Sequence, residues 1–568
     1  MEMSAPWLKY YGNVPYTLDY PDCSMEELVR RASEKYPDLC AYDFLGVRTS
    51  YREFANKIDT CAMALAAAGI REAERVTICM PNVPQAVIMF YAVNRIGAVA
   101  NMVHPLSAVE EIAFFLNTSG SSAALTLDQF YHKFEAVADK INIKTLIVTG
   151  IDDELSGVQK YGYRMTQGRK IKKAPTGGNV VRWNDFLKAG KAYSGEYLRE
   201  KRGDDVAAIL YSGGTTGTTK GILLTNLNFN ALAMQTAAAG DCVIAGHKML
   251  TIMPIFHGFG LGVCVHAMFI SGVSGVLVPQ FSLKSYAKLL KKHRPHYIAG
   301  VPTLYEALLR MDDIGNLDMS QLEGMFCGGD SLTIELKRKV DAFLQAHGAS
   351  IQIREGYGTT ECVTASCLTP KDFHREGSIG IPYPDMFYKI TDPETLEAVP
   401  YGETGEICIY GPTVMKGYLD NPEEMALTLK EHADGRVWLH TGDLGEMDED
   451  GFVYFRQRIK RIIISSGYSI YPSQIENSIE AHEAVLVSCV IGVPDDYKMQ
   501  RLKAFIVLRD GMEPTEELKA SIIEHCKRHI AKYAMPSEFE YRSDLPKTLV
   551  GKVAYMVLEQ EEAEKTGK

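Results

Sequence analysis

Along the first part of the chain, short runs of β-branched and apolar residues alternate with longer amphipathic stretches. The run at 75–81 predicts a strand, and the stretch at 84–96 that follows it has the apolar spacing of a helix. The same order returns at 206–212, where a predicted strand leads through a loop rich in glycine and threonine to a predicted helix at about 226–238. Such alternation indicates an α/β fold of mostly parallel sheets flanked by helices on both faces.

The pattern changes near Gly405, where closely spaced strand-like runs and Asp-Gly turns predict a β-rich subdomain. From about Arg461 onward, the order strand, helix, strand, strand, helix predicts a small α+β domain. Charged residues near Lys460 separate two strand-like runs, which suggests a hinge there. We therefore expect a large N-terminal domain, 1–457, and a small mobile C-terminal domain, 458–568.

Composition and charge narrow the class of protein. The chain has 568 residues, of which 46% are hydrophobic and 23% charged, as in several cooperating globular units. Its net charge of -11 argues against a general nucleic-acid binder, which needs a basic face. The N-terminal segment lacks the pattern of a secretory signal, and the cysteines are scattered without any C-x-x-C pair. We therefore expect a cytoplasmic protein.

Two segments bear on membrane contact. The apolar run at 261–279 approaches the length of a membrane span, yet it contains His266 and several small residues. We interpret it as a buried helix followed by a buried strand, and we expect no transmembrane segment. The basic run at 164–175 is interpreted as a solvated loop, with weak contact to anionic lipid headgroups as the alternative. Monomer and homodimer both remain open.

The strongest chemical signal is the segment YSGGTTGTTKG at 211–221. Its glycines free the backbone so that several N–H groups can converge on an anion, while the hydroxyls add donors and the lysine adds a positive charge. A threonine stands directly before the lysine, where a Walker loop needs glycine. The candidate polyphosphate ligands are Ser212, Gly213, Gly214, Thr215, Thr216, Gly217, Thr218 and Lys220.

This segment resembles the phosphate-binding signature of the adenylate-forming superfamily, which includes acyl-CoA synthetases, peptide-synthetase adenylation domains and luciferases. Further signatures of the superfamily follow in the same order, so that the resemblance covers roughly 49–552. It implies an enzyme that uses ATP and Mg²⁺ to convert a carboxylic acid into acyl-AMP, and then transfers the acyl group to CoA.

A second signature is GYGTTE at 356–361. The resemblance implies that the ring stacks on adenine, the Gly-Thr-Thr turn meets the α-phosphate region, and the carboxylate coordinates Mg²⁺, which prefers hard oxygen ligands. The residues concerned are Tyr357, Gly358, Thr359, Thr360 and Glu361. Upstream, Gly329 and Asp330 match a segment that lines the adenine edge, although a small residue is more usual at the second position.

Three charged residues complete the resemblance. Asp443, in the segment WLHTGD, would accept both ribose hydroxyls, and Arg458 would lie near the ribose and phosphates. Lys552, in the terminal frame PKTLVGK, would bridge the substrate carboxylate and the α-phosphate and form the catalytic set with Thr360 and Glu361. Gln457 and Arg461 stand where related ligases carry acidic residues beside the hinge, and Lys460 falls at the hinge itself.

The sequence gives weaker evidence for the acyl and thiol sites. The resemblance makes His257 a candidate gate beside the acyl group, with a packing role as the alternative, and places Val301 and Thr303 on the far wall. The apolar character of these segments favours a fatty or aromatic acid over acetate. Gly467 would let a pantetheine arm pass close to the backbone, although a turn glycine reads equally well.

The resulting prediction is an ATP-dependent acid–CoA ligase, with a medium- or long-chain fatty acid as the expected substrate. An aryl-acid CoA ligase and an acyl-AMP ligase that loads a carrier-protein phosphopantetheine are the near alternatives. A non-catalytic sensor is disfavoured, because it would not need to keep all the charged residues of these motifs, which are Lys220, Glu361, Asp443, Arg458 and Lys552. A luciferase-like oxygenase shares every motif and is disfavoured only as a rare specialisation.

Overall fold

A computed structural model describes most of the chain and gives it four β-sheets with helices packed around them. The described residues are 4–212, 219–311, 314–461, 463–465, 468–470, 472–495, 499–530, 534–548 and 552–566.

The N-terminal region contains a sheet of eight described strands, most of them parallel. In spatial order these strands are Gly417–Tyr418, Lys220–Thr225, Val206–Ser212, Val99–Val103, Arg75–Cys79, Ser121–Leu127, Thr145–Thr149 and Val180–Arg182. The central strands are apolar on both faces, as expected where helices cover both sides of a parallel sheet.

A second sheet, of nine described strands, lies beside the first. Its spatial order is Ile381–Pro382, Cys367–Leu368, Ile353–Tyr357, Gly324–Cys327, Tyr297–Gly300, Lys248–Thr251, Ser274–Leu277, Cys40–Phe44 and Val47–Ser50. The strands from Ile353–Tyr357 to Cys40–Phe44 run parallel, so their carboxyl ends lie at one edge, where ligands bind in open α/β sheets.

Two smaller sheets follow. The sheet of the β-rich subdomain contains Phe387–Thr391, Gly405–Tyr410, Val437–Met447, Leu429–Glu431 and Val453–Arg458. The C-terminal sheet contains Tyr468–Ile470, Ile463–Ser465, Met499–Leu508, Val485–Asp495 and Glu538–Arg542.

The helices pack on these sheets and fill the crossovers. In the N-terminal region they are Met25–Lys35, Tyr51–Ala67, Pro84–Arg95, Val109–Ser119, Tyr131–Glu135, Gly157–Met165, Trp183–Ala192, Asn226–Gly240, Leu283–His293, Pro302–Leu309 and Ile334–Ala346. Helix Pro422–Thr428 belongs to the β-rich subdomain, and Pro472–Glu480, Glu516–His529 and Tyr555–Thr566 belong to the C-terminal part. Each described helix falls short of the length or apolar character that crossing a bilayer requires.

Local sequence signals explain where elements begin. Helix Asn226–Gly240 starts at Thr225, whose hydroxyl accepts the Asn228 N–H while the Asn228 side chain accepts the Thr225 N–H. This reciprocal pair satisfies two of the backbone donors that a helix leaves free at its start. The run at 261–279 forms a buried π-helical segment, Phe259–Ala267, and then the buried strand Ser274–Leu277, as predicted.

One large hydrophobic cluster runs from Trp7 to Val453 and joins the two large sheets with the β-rich subdomain. The C-terminal part has clusters of its own, built from residues between Ile463 and Leu558. A separate core is what a unit that moves as a body requires.

The structure corrects the sequence prediction in two places. The glycine- and threonine-rich loop leads first into the strand Lys220–Thr225, which pairs with Val206–Ser212, and only then into the helix. The C-terminal part also has an extra hairpin strand, Tyr468–Ile470, and an edge strand, Glu538–Arg542, that the predicted order lacked. These strands are short or only half-buried, so their hydrophobic alternation is weak.

Candidate active site

A cavity of about 450 Å³ lies at the carboxyl edge of the nine-stranded sheet. Strands Gly324–Cys327 and Ile353–Tyr357 are parallel neighbours and both end at this cavity. The β-rich subdomain contributes the turn around Gly442, and the C-terminal part contributes Lys552. The site therefore combines segments that are far apart in the sequence but meet because the sheet edge and the two later units converge.

Tyr357, Asp443 and Arg458 form one connected group in the cavity wall. The Tyr357 hydroxyl donates a hydrogen bond of 2.6 Å to Asp443 Oδ2. Arg458 lies directly across from Asp443 in the antiparallel pair of strands, and its Nε is 3.3 Å from Asp443 Oδ1. Burial raises the pKa of the Asp443 carboxyl, and the positive charge of Arg458 opposes that rise.

The second oxygen of Asp443 is a buried acceptor that lacks a hydrogen bond among the described residues. Asp443 as a whole is 1% exposed, so water does not satisfy this oxygen freely. A buried carboxylate oxygen without a donor is unfavourable unless a ligand supplies one. The hydroxyl groups of a ribose are donors of the right kind, so the site fits the nucleotide that the sequence predicted.

The turn that carries Glu361 is held by close backbone packing. A Cβ at Gly358 would lie 1.8 Å from the carbonyl oxygen of Thr364, so only glycine fits there. Glu361 lines the cavity, and its Oε1 accepts a hydrogen bond of 2.8 Å from the Tyr418 hydroxyl. A carboxylate held in this way, facing the cavity, is a hard oxygen donor suited to Mg²⁺.

Lys220 begins the strand Lys220–Thr225 and pairs with Ser212, so the two residues flank the glycine- and threonine-rich loop. Its ammonium group forms an ion pair with Glu424 and lies 5.2 Å from the centre of the Tyr418 ring. Ser212 and Lys220 both line the cavity. The predicted phosphate ligands between them, Gly213, Gly214, Thr215, Thr216, Gly217 and Thr218, lie outside the described residues.

Lys552 reaches the cavity from the C-terminal part. A Cβ placed on Gly329 would lie 3.6 Å from Lys552 Cε, which shows how closely the lysine stem passes the glycine turn. Its backbone closes a small loop with Thr548, whose N–H donates to the Lys552 carbonyl at 2.7 Å. Burial lowers the pKa of Lys552, and the carboxylate of Asp330 opposes that change. A buried ammonium of this kind favours an anionic ligand.

Part of the cavity lining is apolar. It includes Phe259, Val263, Phe326, Ala365 and Leu368. His257 also lines the cavity, and its Nδ1 accepts the Phe259 N–H at 3.2 Å. Burial, together with the charge of Lys552, lowers the pKa of His257 to about 4, so the ring is neutral at physiological pH. A neutral ring beside apolar lining residues fits either gating or packing.

Comparison with known proteins decides the family. The model of the AMP-binding enzyme family matches residues 29–419, and the model of the AMP-binding enzyme C-terminal domain matches residues 474–552. The chain belongs to the AMP-binding enzyme family. The predicted superfamily is thereby confirmed.

Relatives and solved structures agree with this membership. The chain is 34% identical to a long-chain-fatty-acid–CoA ligase of Bacillus subtilis (strain 168), and the match covers 99% of each chain. It is 32% identical to a long-chain-fatty-acid–CoA ligase of Salmonella typhimurium, with 98% of each covered. The crystal structure of ATP-bound MatB from Rhodopseudomonas palustris superimposes with a TM-score of 0.81 at 25% identity, covering 96% of this chain and 100% of that one.

These matches confirm the predicted α/β fold and the predicted enzyme class, an AMP-forming acid–CoA ligase. The predicted use of ATP, Mg²⁺ and CoA is confirmed with the class. Small molecules are accordingly the substrates of this AMP-binding enzyme.

The predicted site residues are only partly brought together. Most of those described line the cavity: Ser212, Lys220, His257, Gly329, Tyr357, Gly358, Thr359, Thr360, Glu361, Arg458 and Lys552. Asp443 lies just behind this lining, bonded to Tyr357. Val301, Thr303 and Asp330 are described but are not in the lining, although Val301 packs near Gly329 and Asp330 lies near Lys552.

Gln457 and Arg461 flank the predicted hinge, where the resemblance led us to expect acidic residues. Gln457 is 1% exposed, and neither atom of its amide has a hydrogen-bond partner among the described residues. Arg461 forms an ion pair of 2.5 Å with Glu476 and stacks over the Tyr555 ring at 4.9 Å. Lys460 lies in the turn Ile459–Arg461, but its side chain and Gly467 lie outside the described part of the chain.

The polar residues at the cavity that escaped the sequence analysis include Glu406, Tyr418, Glu424 and His440. Tyr418 and Glu424 sit in the segment GYLDNPEE, whose Gly-Tyr pair and Asn-Pro helix start are recognisable local signals. Glu406 carries no local signal, because a single glutamate beside an apolar strand usually indicates a solvated end.

Proposed function

We propose that this AMP-binding enzyme activates a long-chain fatty acid to its acyl-adenylate and then transfers the acyl group to CoA. The observation that carries the proposal is a cavity whose lining combines polar and charged side chains with apolar ones. Tyr357, Arg458 and Lys552 belong to this lining, with Asp443 bonded to Tyr357 behind it, and the apolar members include Phe259, Val263, Phe326 and Leu368. The long-chain-fatty-acid–CoA ligases at 34% and 32% identity over nearly the whole chain support the choice of acid.

In the first half-reaction, a carboxylate oxygen of the acid attacks the α-phosphorus of ATP and pyrophosphate leaves. Asp443 accepts hydrogen bonds from the ribose, among them one through Oδ1, which accepts no hydrogen bond from the described residues, and Tyr357 and the 328–329 turn bound the adenine. Lys552 neutralises charge between the acid and the α-phosphate, the position where negative charge grows in the transition state. No covalent protein nucleophile is needed, because positioning and charge neutralisation suffice.

The remaining residues keep the catalytic and binding roles that the resemblance implies. Thr359 and Thr360 contact the α-phosphate, while Lys220 and the loop 212–218 hold the outer phosphates. Glu361 would hold Mg²⁺, which supplies charge neutralisation between phosphates when bound. Gly329 and Asp330 lie at the adenine edge, and Val301 and Thr303 line the far wall of the acyl pocket.

In the second half-reaction, the C-terminal domain, 458–568, rotates against the N-terminal domain, 1–457, about Lys460. Lys552 then leaves the cavity, and Gly467 lines a channel for the pantetheine arm of CoA. The separate hydrophobic clusters of the C-terminal part support movement as a body. The Arg461–Glu476 pair lies within this domain and would travel with it.

The site of action in the cell is proposed from two observations. The cysteines are all unpaired, which is typical of a reducing cytoplasm. The basic run at 164–175 is mostly exposed, and Arg164 pairs with Asp152 at 2.7 Å. In this proposal the lysines of that run make the weak contact with a membrane surface. Both a monomer and a homodimer are compatible with the site.

The proposal is tested by pyrophosphate release from ATP and Mg²⁺ with acids ranging from acetate through palmitate to benzoate, each with and without CoA. We expect release with long-chain acids that turns over only with CoA. Preference for benzoate would contradict the fatty-acid proposal in favour of an aryl acid. Release that CoA does not stimulate, but a phosphopantetheinylated carrier protein does, would contradict CoA as acceptor.

A further inference from the structure

The strand Val437–Met447 bulges where it reaches the active site. In the neighbouring strand Gly405–Tyr410, Glu406 pairs with Leu444 and Cys408 pairs with His440. The single residue Ile407 therefore stands opposite the three residues 441–443. Gly442 has a φ of +71°, a conformation that favours glycine. Bulges of this kind re-aim a side chain next to an active site. Here the side chain is that of Asp443.

The carboxylate of Glu406 stabilises this bulge by a hydrogen bond to its backbone. Its Oε1 accepts the N–H of Gly442 at 2.9 Å, and that N–H has lost its partner in the ladder because of the bulge. The hydroxyl of Thr441 donates to the Ile407 carbonyl at 2.7 Å and accepts the Asp443 N–H at 3.1 Å. The bulge is thus fixed at Gly442 by one buried side chain, Glu406, which is 5% exposed.

Glu406 is in turn held by a chain of buried hydrogen bonds. Its Oε2 lies 2.7 Å from His440 Nδ1, His440 Nε2 lies 2.9 Å from His432 Nε2, and His432 Nδ1 lies 3.0 Å from Lys389 Nζ. An ammonium can only donate and an ionised carboxylate can only accept. The protons at the two ends of the chain therefore point from Lys389 toward His432 and from His440 toward Glu406.

The neighbouring thiol of Cys408 raises the question of a metal. Cys408, His432 and His440 have the donor types of a zinc site, and their donor atoms lie within 4.8 Å of one another. Every ring nitrogen, however, is engaged in the chain of hydrogen bonds, and the ammonium of Lys389 occupies the outer side of His432. The observed geometry is that of a hydrogen-bond relay.

We propose that Glu406 is a positioning residue for Asp443, and that His440, His432 and Lys389 keep its carboxylate in place. The inference rests on the proposed function, in which Asp443 binds the ribose hydroxyls of ATP. Glu406 acts through the Gly442 bulge: it fixes the backbone from which the Asp443 carboxylate projects toward the nucleotide.

The test compares ATP with 2′,3′-dideoxy-ATP in acid-dependent pyrophosphate release. In the wild type, loss of both hydroxyls should lower kcat/KM by roughly a hundredfold or more, since hydrogen bonds to charged groups are strong. In Glu406→Ala, kcat/KM should fall far more for ATP than for the dideoxy nucleotide. The ratio of kcat/KM for ATP to that for the dideoxy nucleotide should then fall below about tenfold. A general loss of folded enzyme would instead lower the apparent kcat/KM equally for both nucleotides.

Two further variants make the outcome decisive. Asp443→Asn should remove most of the discrimination; if it does not, the ribose role of Asp443 fails and with it that part of the proposed function. If Asp443→Asn removes it but Glu406→Ala retains the wild-type ratio, the positioning role alone is wrong. Glu446→Gln, on the same strand but paired with Arg456, should leave the ratio unchanged.

Folding and metal content are checked alongside. Should Glu406→Ala not fold, Glu406→Gln serves instead. Its amide can still accept the Gly442 N–H, but it would offer a donor to His440, so we expect an intermediate ratio. A Glu406→Gln ratio equal to that of the wild type would overturn the role of the relay. Zinc bound in equal proportion to the purified enzyme and lost in Cys408→Ser would overturn it as well.

Discussion

Asp443 and Arg458 face each other across two antiparallel strands, with Arg458 Nε 3.3 Å from Asp443 Oδ1 and the Tyr357 hydroxyl bonded to the other carboxylate oxygen. Burial favours the protonated form of Asp443, and the charge of Arg458 favours the ionised form. The ionised form accepts hydrogen bonds from ribose hydroxyls more strongly than the protonated form does. The ionisation of Asp443 thus depends in part on this cross-strand pair.

Removal of Arg458 should therefore make nucleotide binding sensitive to acid. In Arg458→Met the pKa of Asp443 should rise, because burial is then opposed only by the Tyr357 hydrogen bond and the charge of Lys552. The acid limb of kcat/KM for ATP should then shift upward by about one pH unit, with activity lost at a higher pH than in the wild type. The measurement is the pH profile of kcat/KM for ATP between pH 5 and 9.

Arg456→Met is the matched control for that experiment. Arg456 lies two positions earlier on the same strand and pairs with Glu446 rather than with Asp443. Its replacement should leave the acid limb where it is. An unshifted limb in Arg458→Met would contradict the view that Arg458 keeps Asp443 ionised.

Lys552→Ala should separate the two half-reactions. The lysine lies against Gly329 in the cavity, where it would neutralise charge on the α-phosphate. We expect adenylate formation to fall by roughly 10²- to 10³-fold, as when a group that stabilises the transition state is removed. Transfer from supplied acyl-AMP to CoA should fall less than about tenfold, since Lys552 would have left the site by then.

Lys547→Ala serves as the control for Lys552. It belongs to the same terminal frame but pairs with Asp544 at the surface, at 3.2 Å. Both half-reactions should proceed at wild-type rates in that variant. Equal losses of both half-reactions in Lys552→Ala would show that the lysine supports the domain rather than the chemistry.

How much of this site the sequence could predict depends on how its residues are encoded. Tyr357, Glu361, Asp443 and Lys552 stand in compact motifs, so their convergence in one cavity could be expected from the resemblance. Strands and helices with strong periodicity, such as Arg75–Cys79 and Pro84–Arg95, were also predictable, since each buries a regular apolar face.

The remaining contacts are long-range and have no local trace. Glu424 reaches Lys220 across 204 positions, and Tyr418 reaches Glu361 across 57, so the pairing arises only when the sheets assemble. Glu406 becomes informative only once the bulge at Gly442 is known. Short strands such as Tyr468–Ile470 likewise depend on their hairpin partner for stability rather than on their own pattern.

The Lys220–Glu424 ion pair should compete with nucleotide binding. While the Lys220 ammonium is bonded to Glu424, it has fewer of its three N–H donors, and less of its charge, to offer an outer phosphate of ATP. Glu424→Gln should thus lower the KM for ATP by about two- to fivefold, the range expected for a partly exposed ion pair. Lys220→Met should raise that KM. Initial rates at low ionic strength, where screening is weak, give the clearest measurement.

Glu423→Gln is the neighbouring control. Glu423 precedes Glu424 in the first turn of helix Pro422–Thr428 but is exposed to solvent. Its replacement removes the same charge from the same helix and should leave the KM unchanged. A higher KM in Glu424→Gln would mean that Glu424 orients Lys220 for the phosphate instead of withholding it.

His266 should make the enzyme sensitive to acid through folding rather than through catalysis. The ring is fully buried, with Nδ1 3.2 Å from the Tyr91 hydroxyl and Nε2 3.0 Å from Asn230 Oδ1. Burial lowers the pKa of His266 to about 3, whereas in the unfolded chain it has its ordinary value of 6.5. Between these values the unfolded state binds a proton that the folded state does not, so stability is lost as the pH falls below about 6.5.

Replacement of this histidine should make the stability of the enzyme less dependent on pH. His266→Gln is expected to be less stable than the wild type at pH 7.5, because its shape fits the site less well. Acidification to pH 5.5 should then destabilise it by about 1.4 kcal/mol less than it destabilises the wild type, the contribution of one titrating group over one pH unit. Apparent melting temperatures at both pH values, taken at one scan rate, measure the difference. His132→Gln, at an exposed position, should behave as the wild type does. Equal shifts in His266→Gln and the wild type would mean that His266 is protonated in the folded enzyme after all.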